Sequence, residues 1–286
     1  MTAPEQLKDS MIKAAVIGDP ISHSLSPKIH NFFLQKYNIN GIYEALQISK
    51  ENLKEEILKL IDQGFAGFNV TIPHKEEIFK LCHHKSKTAQ LCGAVNTVII
   101  TEDKKLFGHN SDAEGFLNNL KNKNTFVIGA GGAARAIVYA LIKSEVKKIF
   151  ITNRNLNRAQ ELVKNFSDFS AQKNCEIIIL NQKDFENNLT DCDLLTNSTS
   201  LGMKGQEALN INLSKLKNSA IVYDIVYKPL ITNLLQNAQN QNNLIVTGIG
   251  MLIEQALIGF EAWFKIKPQI DIELFRILEE ATKNEA

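Results

Sequence analysis

One glycine-rich turn and four short polar segments carry the side chains of this sequence that are suited to chemistry. The turn is Gly129-Ala130-Gly131-Gly132-Ala133-Ala134, preceded by the apolar run TFVI and followed by RAIVYALIKS. A strand before and a helix after give this G-x-G-x-x-A spacing its meaning. Gly129 permits a tight turn, Gly131 lets the backbone approach a pyrophosphate, and Ala134 is small enough for close helix–strand packing. The unpaired N–H groups and positive dipole end of the helix would then face the phosphates. A purely structural turn is the bland alternative, and the flanking elements favour a dinucleotide over it.

The next strand, KKIFIT, ends in Asn153-Arg154, with Arg158 one helical turn later. An NAD site usually carries Asp or Glu at this point, hydrogen-bonded to the ribose hydroxyls. Two arginines without an acid suit the 2′-phosphate of NADP, because guanidinium offers a bidentate fork and a plane that stacks on adenine. Solvated surface charge is the competing explanation of the pair.

The four polar segments are His23-Ser24-Leu25-Ser26-Pro27, Asn69-Val70-Thr71-Ile72-Pro73-His74-Lys75, Gly93-Ala94-Val95-Asn96-Thr97 and Gly108-His109-Asn110-Ser111-Asp112. They fall where strands are expected to end, which is where open α/β sheets bind ligands. Ser, Thr, Asn, Lys and Asp gathered there suit a ligand with several hydroxyls and a carboxylate. Taken singly, Ser24 and Ser26 read equally well as helix caps, and Asn69 and Asn96 as turn residues.

The elements that must position these groups alternate. IKAAVIG, GIYEALQI and FAGFNVT read as strands, with helices from Pro27 (Ser26 as N-cap), across KENLKEEILKLIDQ, and from Pro73. A hairpin is expected around Val95–Ile100 and Lys105–His109, with Asp103 and Lys104 at its turn. A second alternating series starts at Asn124, with later strands in CEIIIL, CDLLTN, AIVYDIV and NLIVTG. Two helices, Gly250 to Lys265 and Asp271 to Asn284, follow without a strand between them, and Phe260, Trp263 and Phe264 form an aromatic stripe that reads as core.

The 286 residues suit about two domains on a prior of ~100–200 residues each. The expected fold is α/β with two domains. An N-terminal, mostly parallel substrate domain (1–112) is completed by C-terminal helices (251–286), and residues 113–250 form a Rossmann-type NADP-binding domain. A net charge of +1 argues against a nucleic-acid footprint. No apolar run reaches the roughly 18 residues of a membrane helix, and residues 1–10 read as a loose polar tail. The four cysteines form no CxxC pair and read as reduced cytoplasmic thiols. Six histidines offer no metal constellation, and no metal is expected.

The chain closely resembles the shikimate dehydrogenase family. SHSLSP, NVTIPHKE, GAVNT, GHNSD, GAGGAA, NRNLNR, YDIVYKP and GIGMLIEQA match that family's motifs in its order, over essentially all of Ile12 to Phe264. The resemblance implies an NADP(H)-dependent enzyme that interconverts 3-dehydroshikimate and shikimate in aromatic amino-acid biosynthesis. Its partner would be that small molecule, with no nucleic acid or membrane, and the chain would work as a monomer or homodimer. Ser24 and Ser26 would bind the substrate carboxylate. Asn69, Thr71, Asn96, Asp112 and Gln255 would hold ring hydroxyls, assisted by Tyr227. Lys75 would be the catalytic group, with Asp112 orienting it. Gly129, Ala130, Gly131, Gly132 and Ala133 would cradle the pyrophosphate, and Asn153, Arg154 and Arg158 would read the adenosine phosphate. Thr199, Ile225, Gly248 and Met251 would line the path towards the nicotinamide. Asn155 departs from the family, which often has Thr there. A quinate or NAD-using relative and a non-catalytic NADP-binding sensor are the alternatives. Arg154 and the serine pair speak against the first, Lys75 and Asp112 against the second.

Overall fold

The computed structural model describes residues 11–112, 123–270 and 272–283. The expected tail 1–10 lies outside them, as do both end residues of the last expected helix, Asp271 and Asn284. The chain divides into two compact units, Met1–Glu114 with Leu252–Ala281, and Gly115–Met251 with Thr282–Ala286. Met251, expected with the substrate domain, falls in the second unit.

In the first unit the order is β1 (Ile12–Gly18), α1 (Ser26–Lys36), β2 (Gly41–Gln47), α2 (Leu53–Asp62), β3 (Phe65–Val70), α3 (Lys75–Leu81), β4 (His84–Lys85), α4 (Lys87–Cys92), β5 (Thr97–Ile100) and β6 (Leu106–His109). The strands form a six-stranded sheet in the order β2-β1-β3-β5-β6-β4. β1 runs parallel to β2 and β3, each reached through a crossover helix as parallel pairing requires. β5 is antiparallel to β3 and to β6, so the expected hairpin sits inside the sheet and makes it mixed. Lys104 takes the left-handed conformation its turn needs, at φ 60°. α2 buries Leu53, Ile57 and Leu60, one stripe at helical spacing, against a core that includes Phe68, Val70, Ile78 and Val98.

Two helix starts differ from the sequence reading. Ser26 is the first residue of α1 rather than its cap. The capping position is Leu25, whose carbonyl accepts the N–H groups of Lys28 and Ile29. α3 begins at Lys75 rather than at Pro73, because Thr71 to His74 form a turn closed by the His74 N–H on the Thr71 carbonyl at 3.0 Å.

The second unit contains β7 (Asn124–Ile128), α5 (Gly132–Lys143), β8 (Lys148–Thr152), α6 (Leu156–Gln172), β9 (Glu176–Ile179), α7 (Gln182–Asn187), β10 (Leu194–Asn197), β11 (Ile221–Asp224), α8 (Asn233–Asn240) and β12 (Leu244–Val246). Its strands run in the order β12-β11-β10-β7-β8-β9, and every pairing is parallel. Strand order reverses between β7 and β10, which is the doubly wound arrangement with its ligand crevice at the carboxyl ends of the strands. α8 occupies the stretch that reads in sequence only as rich in Asn and Gln. Leu234, Leu235 and Ala238 are buried there, and Thr232 caps the helix by accepting the Leu235 N–H.

α9 (Ile249–Phe264) and α10 (Ile272–Lys283) follow. From Leu252 onward α9 belongs to the first unit. Phe260 packs edge-on against Phe33 of α1 at 5.4 Å between ring centroids. The Trp263 indole N–H donates to the Val98 carbonyl on β5 at 2.9 Å. The indole covers Gly67 of β3, where any Cβ would lie 2.2 Å from Trp263 Nε1 and 2.1 Å from the Val98 oxygen. Only glycine fits there. No helix among the described residues is long and apolar enough to cross a membrane.

Candidate active site

Lys75 opens α3, and its backbone is pinned by the Val95 N–H, which donates to the Lys75 carbonyl at 2.9 Å. Beside it the buried His74 donates from Nε2 to the Ile48 carbonyl at 2.6 Å. The Lys75 side chain is 14% exposed, and Nζ lies 2.6 Å from Oδ2 of Asp112, which is 4% exposed. An ion pair this buried is costly to leave half-made, since removing either partner strands a charge away from water.

The other Asp112 oxygen is held by Asn96. Asn96 is fully buried, and its Oδ1 accepts the Ser111 backbone N–H at 2.8 Å. A backbone donor cannot reverse its role, so the Asn96 amide has one orientation. Its Nδ2 points at Asp112 Oδ1 (2.7 Å) and at Gln255 Oε1 of α9 (3.1 Å). Asn69 is fixed in the same way, because its Nδ2 donates to the Asn96 carbonyl at 3.1 Å and to Thr97 Oγ1 at 3.2 Å. The sheet explains this proximity, with Asn69 opposite Thr97 across the β3–β5 pair and Thr97 opposite His109 across β5–β6.

The Asn69 Oδ1 accepts the phenol of Tyr43, on β2, at 2.6 Å. Burial pushes the Tyr43 phenol well above its usual range, with a hydrogen bond to Ser26 pulling the other way. It therefore stays protonated and remains a donor. Ser24 joins this side of the site, its Oγ accepting the Ser26 N–H at 3.3 Å. Thr71 follows β3, with its N–H on the Ile17 carbonyl at 2.9 Å and its methyl over Gly18. His30 stacks on Tyr43 with ring centroids 3.9 Å apart. Burial pushes the His30 pKa down to about 3, against a weaker opposing interaction with Asn69, so the ring is neutral.

Hydrogen bonds thus bring Lys75, Asp112, Asn96, Gln255 and Asn69 into one buried group, with Ser26 joined to it through Tyr43. Sequence reasoning gave Tyr43 no role and placed Thr97 and Ser111 in the polar segments without an individual one. The burial of Tyr43, the one buried residue of β2, explains its need for a partner, since a buried tyrosine hydroxyl is seldom left unpaired.

The second unit holds the remaining expected residues. Gly129 has φ 117°, and a Cβ there would lie 2.5 Å from Ser198 Oγ, so the turn requires glycine. Above Gly131 the space is open, with nothing within 4 Å of a Cβ placed there. α5 starts at Gly132 with no side-chain cap and no acid in its first turn, which leaves its N–H groups for an anion. Arg154 and Arg158 are exposed at the start of α6, whose first turn is also without acid. Cations at a helix N-terminus oppose the dipole and make the site strongly attractive to phosphate. These residues fit a dinucleotide with a further phosphate. The Asn153 amide donates to the Asn155 carbonyl at 2.7 Å, and Asn155 Oδ1 caps α6 on the Asn157 N–H at 3.0 Å.

Thr199 donates from N–H and Oγ1 to Asn197 Oδ1 at 3.0 and 2.7 Å. Asn197 in turn donates to Asp224 at 2.9 Å. Burial raises the Asp224 pKa to about 6 despite hydrogen bonds from Thr232, the Val226 N–H and Asn197. A Cβ on Gly248 would sit 2.1 Å from the Ile225 carbonyl oxygen, so its glycine serves close packing. Ala130 and Met251 are buried, and Ala133 and Tyr227 are half-buried.

Two family models match the chain: the shikimate dehydrogenase substrate binding domain over residues 16–98 and shikimate/quinate 5-dehydrogenase over residues 111–226. An NADP(+) shikimate dehydrogenase of Paramagnetospirillum magneticum is 42% identical over 270 residues, covering 91% of this chain and 95% of that one. The shikimate 5-dehydrogenase of Thermus thermophilus, crystallised with NADP(H) and shikimate, has a TM-score of 0.81 at 32% identity, over 96% of this chain and 99% of that one. A Corynebacterium glutamicum quinate dehydrogenase in complex with NAD has a TM-score of 0.83 at 26% identity, over 96% and 100%.

Proposed function

The chain belongs to the shikimate dehydrogenase family, and from that premise we propose that it catalyses the reversible NADPH-dependent reduction of 3-dehydroshikimate to shikimate. The observation that carries this reading is the buried Lys75–Asp112 pair at 2.6 Å, set among amide and hydroxyl groups of fixed direction. NADPH, when bound, supplies a hydride to the carbonyl carbon.

The side chains of the chain do the rest. Lys75 holds a proton on Nζ and gives it to the carbonyl oxygen as negative charge develops there; in the oxidative direction the neutral amine takes it back. Asp112 orients Nζ and accepts a hydrogen bond from a ring hydroxyl. Both Asn69 amide protons are committed to Asn96 and Thr97, so Asn69 meets a hydroxyl as an acceptor. Ser24 and Ser26 bind the carboxylate, Thr71, Asn96 and Gln255 complete the hydroxyl contacts, and Tyr227 assists. Arg154 and Arg158 supply the fork for the 2′-phosphate, and Thr199, Ile225, Gly248 and Met251 line the nicotinamide path. Four free, buried cysteines support a cytoplasmic setting.

The test is the NADP(H)-linked absorbance change with shikimate, repeated with NAD and with quinate. Rapid reduction of NADP by shikimate alone supports substrate, cofactor and reaction together. Comparable efficiency with NAD and quinate would transfer the reading to a quinate dehydrogenase. A folded protein that binds NADPH and turns over neither substrate would overturn it.

A further inference from the structure

The geometry points to Tyr43 and Thr97 as positioning residues: with Asn69 and Asn96 they form a one-way hydrogen-bond chain that ends on Asp112 and so sets Lys75. This inference rests on the proposed reaction for its kinetic readout, but the chain itself is defined by contacts within the first unit.

Each link has a single direction. The Tyr43 phenol donates to Asn69 Oδ1 at 2.6 Å. Asn69 Nδ2 donates to Thr97 Oγ1 at 3.2 Å. Having accepted that proton, Thr97 Oγ1 has two acceptors for its own, Asn96 Oδ1 at 3.1 Å and Ser111 Oγ at 3.2 Å, and Ser111 Oγ in turn reaches Asn96 Oδ1 at 3.2 Å, so both routes end on Asn96. Asn96 Nδ2 donates to Asp112 Oδ1 at 2.7 Å, and Lys75 Nζ donates to Asp112 Oδ2 at 2.6 Å. Two backbone groups prevent reversal. The Asn96 carbonyl faces Asn69 Nδ2, and the Ser111 N–H faces Asn96 Oδ1.

Tyr43 is itself held at both backbone groups by the Asn31 side chain. Asn31 Nδ2 donates to the Tyr43 carbonyl at 2.9 Å, and Asn31 Oδ1 accepts the Tyr43 N–H at 3.1 Å. His30 stacked on the ring fixes its plane. Thr97 sits at the joint, with its backbone in β5 and its hydroxyl touching both amides. Neither residue need touch substrate to matter: loss of a link leaves an amide oxygen under-satisfied, and the group that orients Nζ is held less rigidly.

The experiment compares Tyr43→Phe, Thr97→Val, Thr97→Ser and the double variant Tyr43→Phe/Thr97→Val, with folding checked by thermal unfolding and NADPH binding. The Phe variant keeps the ring on His30, and the Ser variant keeps the hydroxyl. Expected are losses of about three- to tenfold in kcat for Tyr43→Phe and Thr97→Val, the scale of one hydrogen bond. The shikimate KM should stay within about twofold, a loss confined to the bound state. Thr97→Ser should retain turnover, and the double variant should lose less than the product of the two singles, as links of one network do. Unchanged kcat in folded Tyr43→Phe and Thr97→Val, equal losses in Thr97→Ser and Thr97→Val, or a rise in KM alone would overturn the assignment. If Tyr43→Phe does not fold, the Thr97 pair decides. If the wild-type protein shows no shikimate turnover, the reaction is wrong. Side-chain amide hydrogen exchange at Asn69 and Asn96 then still decides the chain, expected faster in Thr97→Val than in Thr97→Ser and overturning it if equal.

Discussion

The two units present groups of opposite kinds. The first gathers buried side chains, Asn69, Asn96, Asp112 and Lys75, whose amides and charges are oriented by one another. The second offers backbone, an uncapped helix start beneath an open glycine turn, with two exposed arginines at the next helix. A side-chain site selects by the identity of each group, and a backbone site selects by shape and charge. Damage should therefore look different in each: loss of turnover in the first unit, and loss of cofactor preference or of the turn itself in the second.

The largest expected effect is on the side-chain site. Lys75→Met should lower turnover at saturating shikimate by about 10²–10⁴-fold, the range for a lost general acid–base group. Steady-state kinetics with fold monitored by circular dichroism checks it, and a rise in KM alone would make Lys75 a binding residue only. Next comes the phosphate fork. Arg154→Ser with Arg158→Ser should raise the KM for NADP about 10–100-fold, the scale of charge-assisted bonds. The KM for NAD should be nearly unchanged, and equal losses for both cofactors would make the arginines general surface charge. Gly129→Ala should destabilise the second unit by about 1–3 kcal/mol through φ strain and collision with Ser198, measurable by urea unfolding.

The smallest effects sharpen the comparison through pH. The folded His30 pKa is depressed to about 3. Its contribution to stability is thus present above about 6.5 and lost as pH falls towards 3. The folded Asp224 pKa is raised to about 6. That contribution is present below about 3.9 and lost as pH rises through 6. Between pH 4 and 6 the two units should therefore tilt in opposite directions. His30→Phe should flatten the first slope, followed by fluorescence of Trp263, the single tryptophan. Asp224→Asn should flatten the second, followed by hydrogen exchange in β11. Parallel slopes in the two units would contradict this account.

Much of this was legible in the sequence because periodicity and punctuation carry it. The alternating strands and helices, the glycine turn between β7 and α5, and the β5–β6 hairpin all follow from local pattern. The arginines stand out because charge at a strand end needs a reason, and Lys75 and Asp112 because the segments that hold them resemble the motifs of a known family. What stayed hidden depends on pairing across the sheet. Nothing in GIYEALQI announces that the Tyr43 hydroxyl meets Asn69, because that contact spans two strands of the sheet. Ser26 resembles a cap by type and position, yet the Leu25 carbonyl starts α1. α8 was obscured because its few buried residues sit among Asn and Gln.

The seat of Trp263 on Gly67 has a consequence for how the chain is made. The indole that closes this face of the first sheet lies 165 residues beyond its hydrogen-bond partner Val98. On a ribosome adding about 5–20 residues per second, the β3–β5 surface therefore waits roughly ten to thirty seconds for its cover. During that interval every strand of the second sheet is translated. The parallel sheet of the second unit can assemble while the first is still missing α9, so the sheet that begins the chain is the one covered last.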